Sequence, residues 1–427
     1  MSGEPASARS VSRESAREEA IEFVLELGRA MHVYGGSAAE VEHAMTTSAR
    51  RLGIAGEFFA TQTSIFASFR DDPAVTRSSS THLMRVEPGS ADLARRERVD
   101  SVLADVLEGG FDAREGRIVL AAIRSDPATY PRWLLVACSI VTSAGVARLF
   151  GLSPFEIVLA GCVGLVVCLL DLAAVRSRRL RRVFLPAAGF VAAAVVATAS
   201  GLRGEPVAFQ VIIAGVITCL PGLRLTTAML ELALDHLAAG TARLLGAVMT
   251  LIALSFGAAL GAQVGDLFPD TSAFAAIDAA RAESAQWTLY LALAVLPLCI
   301  GVFFNAARRD LVWILATCAL SFFGTRLGAR WLGEGFESAL AGLLVGLASN
   351  VYARLLDRPA VTTMLPGILL VVPGSLGFRS LFGLIERDVI SGVDAAFQVT
   401  VVGMSIIGGL FVANVLIRPR RIDLSSG

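Results

Sequence analysis

With 427 residues, 55% of them hydrophobic and 17% charged, and a mean hydropathy of +0.66, the chain is too apolar for a soluble protein of its length and implies several membrane spans. Its 37 basic residues balance 37 acidic ones, so no net charge argues for a nucleic-acid partner; every basic residue is arginine, which points to a GC-rich bacterial genome. The six cysteines all lie in apolar stretches without metal-ligand spacing, which excludes a disulfide framework, and no motif implies a cofactor or a metal.

In chain order, the N-terminal MSGEPASARSVSRESAREEA has no apolar signal-peptide core, and residues 1–16 are expected to be a disordered tail. Residues 17–131 read as a small α/β domain. Apolar spacing predicts a helix over Ile21–Val33, broken by Gly35-Gly36. Ser37 with Glu40 three residues later is a capping box, starting a helix that runs to Arg51 and stops at Gly53. Residues 57–69 predict one or two strands, 83–87 a short strand, and 91–107 and 113–123 two helices. His32, Ser37, Glu40, Glu42, His43, Thr61 and Thr63 are residue types of a hydrolytic site. No G-x-S-x-G, H-E-x-x-H or P-loop accompanies them, so a membrane-tethered hydrolase is the weaker reading.

Beyond Pro131 the chain holds ten apolar runs near the length that crosses a bilayer, about 20 residues each. They fall at 133–150, 154–174, 183–201, 207–222, 242–264, 286–305, 309–328, 337–356, 360–376 and 393–417. The fourth and ninth are short and end at Pro221-Gly222 and Pro373-Gly374. From each pair an amphipathic segment leads to a glycine at the same spacing, Gly240 or Gly392, and Gly257 and Leu232 match Gly409 and Leu384. This layout reads as an α-helical polytopic membrane protein. Two five-helix repeats, 132–264 and 286–418, flank an external acidic linker, 265–285. Five being odd, the second repeat must be inverted. The arginine-rich loops after runs two, six, eight and ten place both termini in the cytoplasm by the positive-inside rule.

A Pro-Gly break frees backbone groups that a bilayer tolerates only against protein or a wet cavity, and helix N-termini bind carboxylates. Pro221, Gly222, Pro366, Gly367, Pro373 and Gly374 therefore mark the expected substrate site. Arg224 and Arg379 follow two of these breaks, and Asn350 and Gln398 are candidate lining amides. Intramembrane or near-membrane Asp171, Glu231, Asp235 and His236 are candidates for proton coupling, although Asp171 also suits pairing with the Arg176 cluster and the other three suit the wet face of an interfacial helix.

LELGRAMHVYGGSAAEVEHAMTTSARRLG, then FFATQTSIFASF and HLMRVEPGSADLARRERVDSVLADVLEG, resemble the cytoplasmic domain of the bacterial threonine/serine exporter family. The ten runs and two Pro-Gly units resemble its membrane part, fused here to the domain, so that the resemblance covers residues 18 to 417. It is strongest at Gly35, Gly36, Ser37, Ala38, Val41 and Glu42. It implies proton-driven export of threonine and serine across the bacterial inner membrane, with relatives linked to succinate. Gly35, Gly36, Ser37 and Glu42 are then expected to belong to a cytoplasmic gate. The partners expected are a small amino-acid substrate and membrane lipid, with a homo-oligomer left open.

Overall fold

The computed structural model describes residues 6–70, 79–87, 89, 91–127, 129–267, 274–275, 285–333, 335–372, 374–385 and 389–418. The chain divides into two compact units. One takes Met1–Thr129 with Leu230–Arg243, and the other Tyr130–Met229 with Leu244–Pro419.

In the first unit, helices α1 (Ala6–Val33), α2 (Ala38–Arg51), α3 (Leu93–Glu108) and α4 (Ala113–Ser125) share a core with an antiparallel sheet of β1 (Gly56–Ala60), β2 (Ser64–Arg70) and β3 (Ser79–Arg85), in the order 1-2-3. Ala60 pairs with Ile65, and Ser64 with Arg85. Ile65, Ala67 and Phe69 on β2 are buried while Phe66 is exposed, the period-two alternation that turns one sheet face to a core. Phe23, Leu27, Val41, Met45 and Ile123 fill that core from the helices. Ser37 and Glu40 cap α2 reciprocally, the Ser37 N–H donating to the Glu40 carboxylate at 2.8 Å, and Gly53 ends it at φ +72°. Two expectations change. The tail expected to be disordered is helical from Ala6 onward, residues 1–5 lying outside the described residues. The short strand expected at 83–87 is the end of the longer β3.

In the second unit α5 (Arg132–Leu149), α6 (Pro154–Arg176) and α7 (Arg178–Arg203) precede a two-residue strand β4 (Val207–Ala208). Then come α8 (Gln210–Gly215), a 3-10 turn (Ile217–Cys219), α9 (Gly222–Ala233) and α10 (Leu237–Ala262). After β5 (Phe274–Ala275), parallel to β4, follow α11 (Gln286–Phe303), α12 (Leu311–Trp331), α13 (Glu337–Leu356), α14 (Val361–Leu369), α15 (Gly374–Ile385) and α16 (Val389–Leu416). The order is the same twice: three long helices, a short one, a break, a 12-residue helix and a long helix.

Nine helical stretches among the described residues are long and apolar enough to cross a membrane, with Val361–Ile385 as one of them. The chain is a mostly helical polytopic membrane protein. One of the ten expected runs is missing because 207–222 is not a continuous helix; Leu220 is extended just before Pro221. The segments after the breaks are also shorter than expected. α9 ends at Ala233, where Asp235 takes φ 63° and the His236 N–H closes on the Glu231 carbonyl, so Gly240 lies inside α10. Gly392 likewise lies inside α16.

Lipid offers no hydrophobic drive between helices, so close packing through small residues holds them. A Cβ on Gly189 of α7 would stand 2.1 Å from the Leu254 carbonyl oxygen of α10, and one on Gly257 of α10 would stand 1.9 Å from that of Pro186. The second series repeats this between α13 and α16: Gly342 faces the Ile406 oxygen at 2.5 Å, and Gly409 the Ala339 oxygen at 2.1 Å. The sequence match of Gly257 with Gly409 is thus a match of packing roles. Gly409→Leu is expected to destabilise the detergent-solubilised protein by about 1–3 kcal/mol. Neighbouring Gly408→Leu, with nothing within 4 Å, should leave it nearly unchanged in thermal unfolding.

Candidate functional site

The two broken elements meet. A Cβ on Gly374 would stand 3.0 Å from the Gly222 Cα and 3.6 Å from the Leu220 Cβ; one on Gly222 would stand 2.3 Å from Val372. Both glycines are buried. Pro373 lies outside the described residues, while Pro221 accepts the Leu225 N–H at 3.0 Å and so closes the first turn of α9. The first N–H groups of any helix lack acceptors inside it, and its N-terminus carries a partial positive charge. Two such ends, those of α9 and α15, converge at one buried point.

The surroundings are reciprocal. Phe209, leading into α8, lies 4.4 Å from Phe382 and stacks on Phe378, both of α15. Gly377 of α15 packs on Leu251 of α10, and Gly403 of α16 on Met229 of α9. The helix after each break therefore lies against the last helix of the other series.

The other expected residues have the following surroundings. Pro366 and Gly367 lie within α14, where Cys318 donates to the Pro366 carbonyl at 3.4 Å and Gly367 packs on Val345. Asn350 is buried and spends its amide on Asn414 (2.9 Å) and the Ile417 carbonyl (2.7 Å). Gln398 is exposed and donates to Asp394 at 2.8 Å. Arg224 is exposed and Arg379 half-buried; Asp171 is exposed on α6.

The first unit joins residues that the sequence separated into a gate and a proton path. Glu231 is 1% exposed. Its Oε1 accepts the Ala38 N–H at 3.1 Å, at the positive end of α2, and Arg243 donates to both its oxygens at 2.9 Å. Glu42 accepts the Ala60 N–H at 2.8 Å, and its other oxygen lies 3.7 Å from His236 Nδ1. Asp235 stays exposed in its turn. Gly35 takes φ +94°, and a Cβ on it would stand 3.0 Å from the Ala91 Cα, while Gly36 leaves room for Met31 and Arg96. Arg96 is buried between Glu40 (3.4 Å) and Asp100 (3.0 Å). Burial raises both carboxyls, but Arg96 and Ser37 hold Glu40 below its ordinary value, while Asp100 stays above. Arg96 and Asp100 stand four apart on α3, the spacing of a same-face ion pair, but nothing in the spacing joins Arg96 to Glu40 or Arg243 to this unit's α2.

His32 is buried, with Nε2 donating to the Gln62 carbonyl at 3.0 Å and Nδ1 without a partner. Burial holds its pKa below 6.5, against the opposing Gln62 carbonyl. The unfolded chain then binds the extra proton, so this stability is present above pH 6.5 and lost as pH falls through the folded value. His32→Asn should flatten the acid side of thermal unfolding between pH 7 and pH 5. Arg243→Ala should cost about 3–5 kcal/mol in denaturant unfolding, by stranding the Glu231 charge, and Arg243→Met with Glu231→Leu should cost less.

Together these features define a polytopic helical membrane protein built on two interrupted-helix series. A family model described as "Putative threonine/serine exporter" matches residues 22–265, and one described as "Threonine/Serine exporter, ThrE" matches 289–416. The chain belongs to the threonine/serine exporter family. Similar curated proteins are each called pheromone-regulated membrane protein 10. That of Zygosaccharomyces rouxii is 25% identical over 93% of this chain and 43% of its own length. Those of Candida albicans and Saccharomyces cerevisiae are 26% identical over 88% of this chain, and over 34% and 48% of their own. The chain therefore spans about a third to a half of the length of these yeast relatives. No solved structure matches it.

Proposed function

We propose that the protein is a secondary transporter that exports threonine or serine across a bacterial inner membrane by alternating access, coupled to protons. The meeting of α9 and α15 at Gly222 and Gly374 carries this reading. Two helix N-termini at one buried point suit the carboxylate of an amino acid. Interrupted helices whose ends meet at the centre of an inverted repeat are the usual site of such transporters. The reciprocal packing of the two series suits a motion of one against the other. The arginine-rich loops support cytoplasmic termini, with the N-terminal domain acting as a gate.

A dicarboxylate would call for further cations, and Arg224 is exposed while Arg379 is only half-buried, so a substrate with one carboxylate is the better supported. Proteoliposomes loaded with labelled threonine should release it when a pH gradient is imposed. Gly374→Ala, which pushes a methyl group against Gly222, should slow release about tenfold, roughly 1.4 kcal/mol. Absence of gradient-dependent flux of threonine, serine and succinate alike would defeat the reading.

A further inference from the structure

Asp310 ends the 3-10 turn Arg308–Asp310 that leads into α12, and it is fully buried. Its Oδ1 accepts from the Tyr352 hydroxyl at 2.9 Å and from Arg358 at 2.5 Å. Its Oδ2 has no partner. Tyr352, on α13, is buried under the Trp313 ring. Arg358 stands three residues ahead of α14, the short helix before the second break. Among the described residues, charged or titratable groups at this corner include Arg308 and Arg309 in the turn, Asp357 beside Arg358, Tyr130, whose hydroxyl donates to the Ala306 carbonyl, and Cys138 near Tyr130.

The first series provides an internal comparison. Glu156, in the first turn of α6, accepts the Ala208 N–H on Oε1 at 2.9 Å, two residues ahead of α8. Its Oε2 accepts the Ser153 N–H and hydroxyl at 2.9 and 2.7 Å. In both series a carboxylate at the head of the second long helix thus holds the segment that leads into the interrupted element. Glu156 uses both oxygens on uncharged groups. Asp310 leaves one oxygen idle and is held by a side-chain cation that belongs to the α14 segment.

Resting on the reading of the chain as a proton-coupled exporter, we propose that Asp310 carries the coupling proton. With Arg358 in place the carboxylate is paired and charged. When the α14 segment moves away with Arg358, a buried carboxylate is left without a cation, and protonation at Oδ2 removes that cost. One O–H bond forms, the ion pair to Arg358 separates, and the Tyr352 hydroxyl still bonds the neutral acid. Proton binding and displacement of the interrupted element become one event.

Two measurements on the full chain test this. In thermal unfolding of the purified protein, R358Q should lie furthest below wild type at pH 8 and approach it as pH falls to 5, because the folded form then binds a proton that the unfolded chain does not. In D310N/R358Q the difference from wild type should not change with pH. A pH-independent deficit in R358Q would overturn the proposal. In proteoliposomes, D310N should retain threonine counterflow within about twofold yet lose gradient-driven efflux at least about tenfold, and D310E should recover it. D310N that keeps gradient-driven efflux, or loses both modes alike with unchanged unfolding, would also overturn it. If R358Q does not fold, the D310N comparison decides alone. Wild type without any flux would defeat the export reading, and the unfolding comparison would still decide the role of Asp310.

Discussion

A backbone interrupted inside a bilayer has to be covered by protein, because hydrocarbon gives its free N–H and C=O groups no partner. The breaks at Pro221-Gly222 and before Gly374 satisfy this by covering each other. The approach is tight: a methyl on Gly374 would stand 3.0 Å from the Gly222 backbone, so a Cβ there fits only if its neighbour yields by a few tenths of an ångström. Much of the second unit is arranged around that contact. Phe209 packs on α15, Met229 on α16 and Leu251 on α15. The glycine contacts between α7 and α10, repeated between α13 and α16, bring each long helix close enough to its neighbour to frame the pair of breaks.

Electrostatics anchors the remaining parts at a few buried points. In the first unit Glu231 binds Arg243 and the start of α2, while Glu40, Arg96 and Asp100 tie α2 to α3. In the second unit Glu156 and Asp310 each fasten the chain leading into an interrupted element. A buried charge is tolerable only with its partner, so the ion pairs of Glu231 with Arg243 and of Asp310 with Arg358 specify a position more than they add stability. The same property makes Asp310 suited to sense where its partner is.

Local patterns were legible in the sequence. The Ser37–Glu40 box, the stop at Gly53, the helices from Leu93 and Ala113, the two breaks and the equivalence of Gly257 with Gly409 all follow from spacing and residue type. What escaped depends on distance along the chain. Ala38 and Glu231 are 193 positions apart, and Asp310 and Arg358 are 48 apart. Nothing in periodicity distinguishes Arg358 from the other arginines between the apolar runs. Asn350 looked available as an intramembrane amide because Asn414, its partner, sits on another helix. Hydropathy marks the fourth run as a span, but it cannot tell a continuous apolar helix from an apolar segment folded into short turns. α9 stops early because Asp235 adopts the left-handed turn that sequence assigned to Gly240.

The central claim is that the two interrupted elements touch within the membrane. It is tested most directly by pairing Leu220→Cys with Gly374→Cys in a background without the native cysteines. The Cβ separation of 3.6 Å lies in the range a disulfide spans, about 3.5–4.5 Å. The account predicts that mild oxidation of intact membranes joins the pair. Two thiols that each react with an alkylating reagent but never join each other would contradict it.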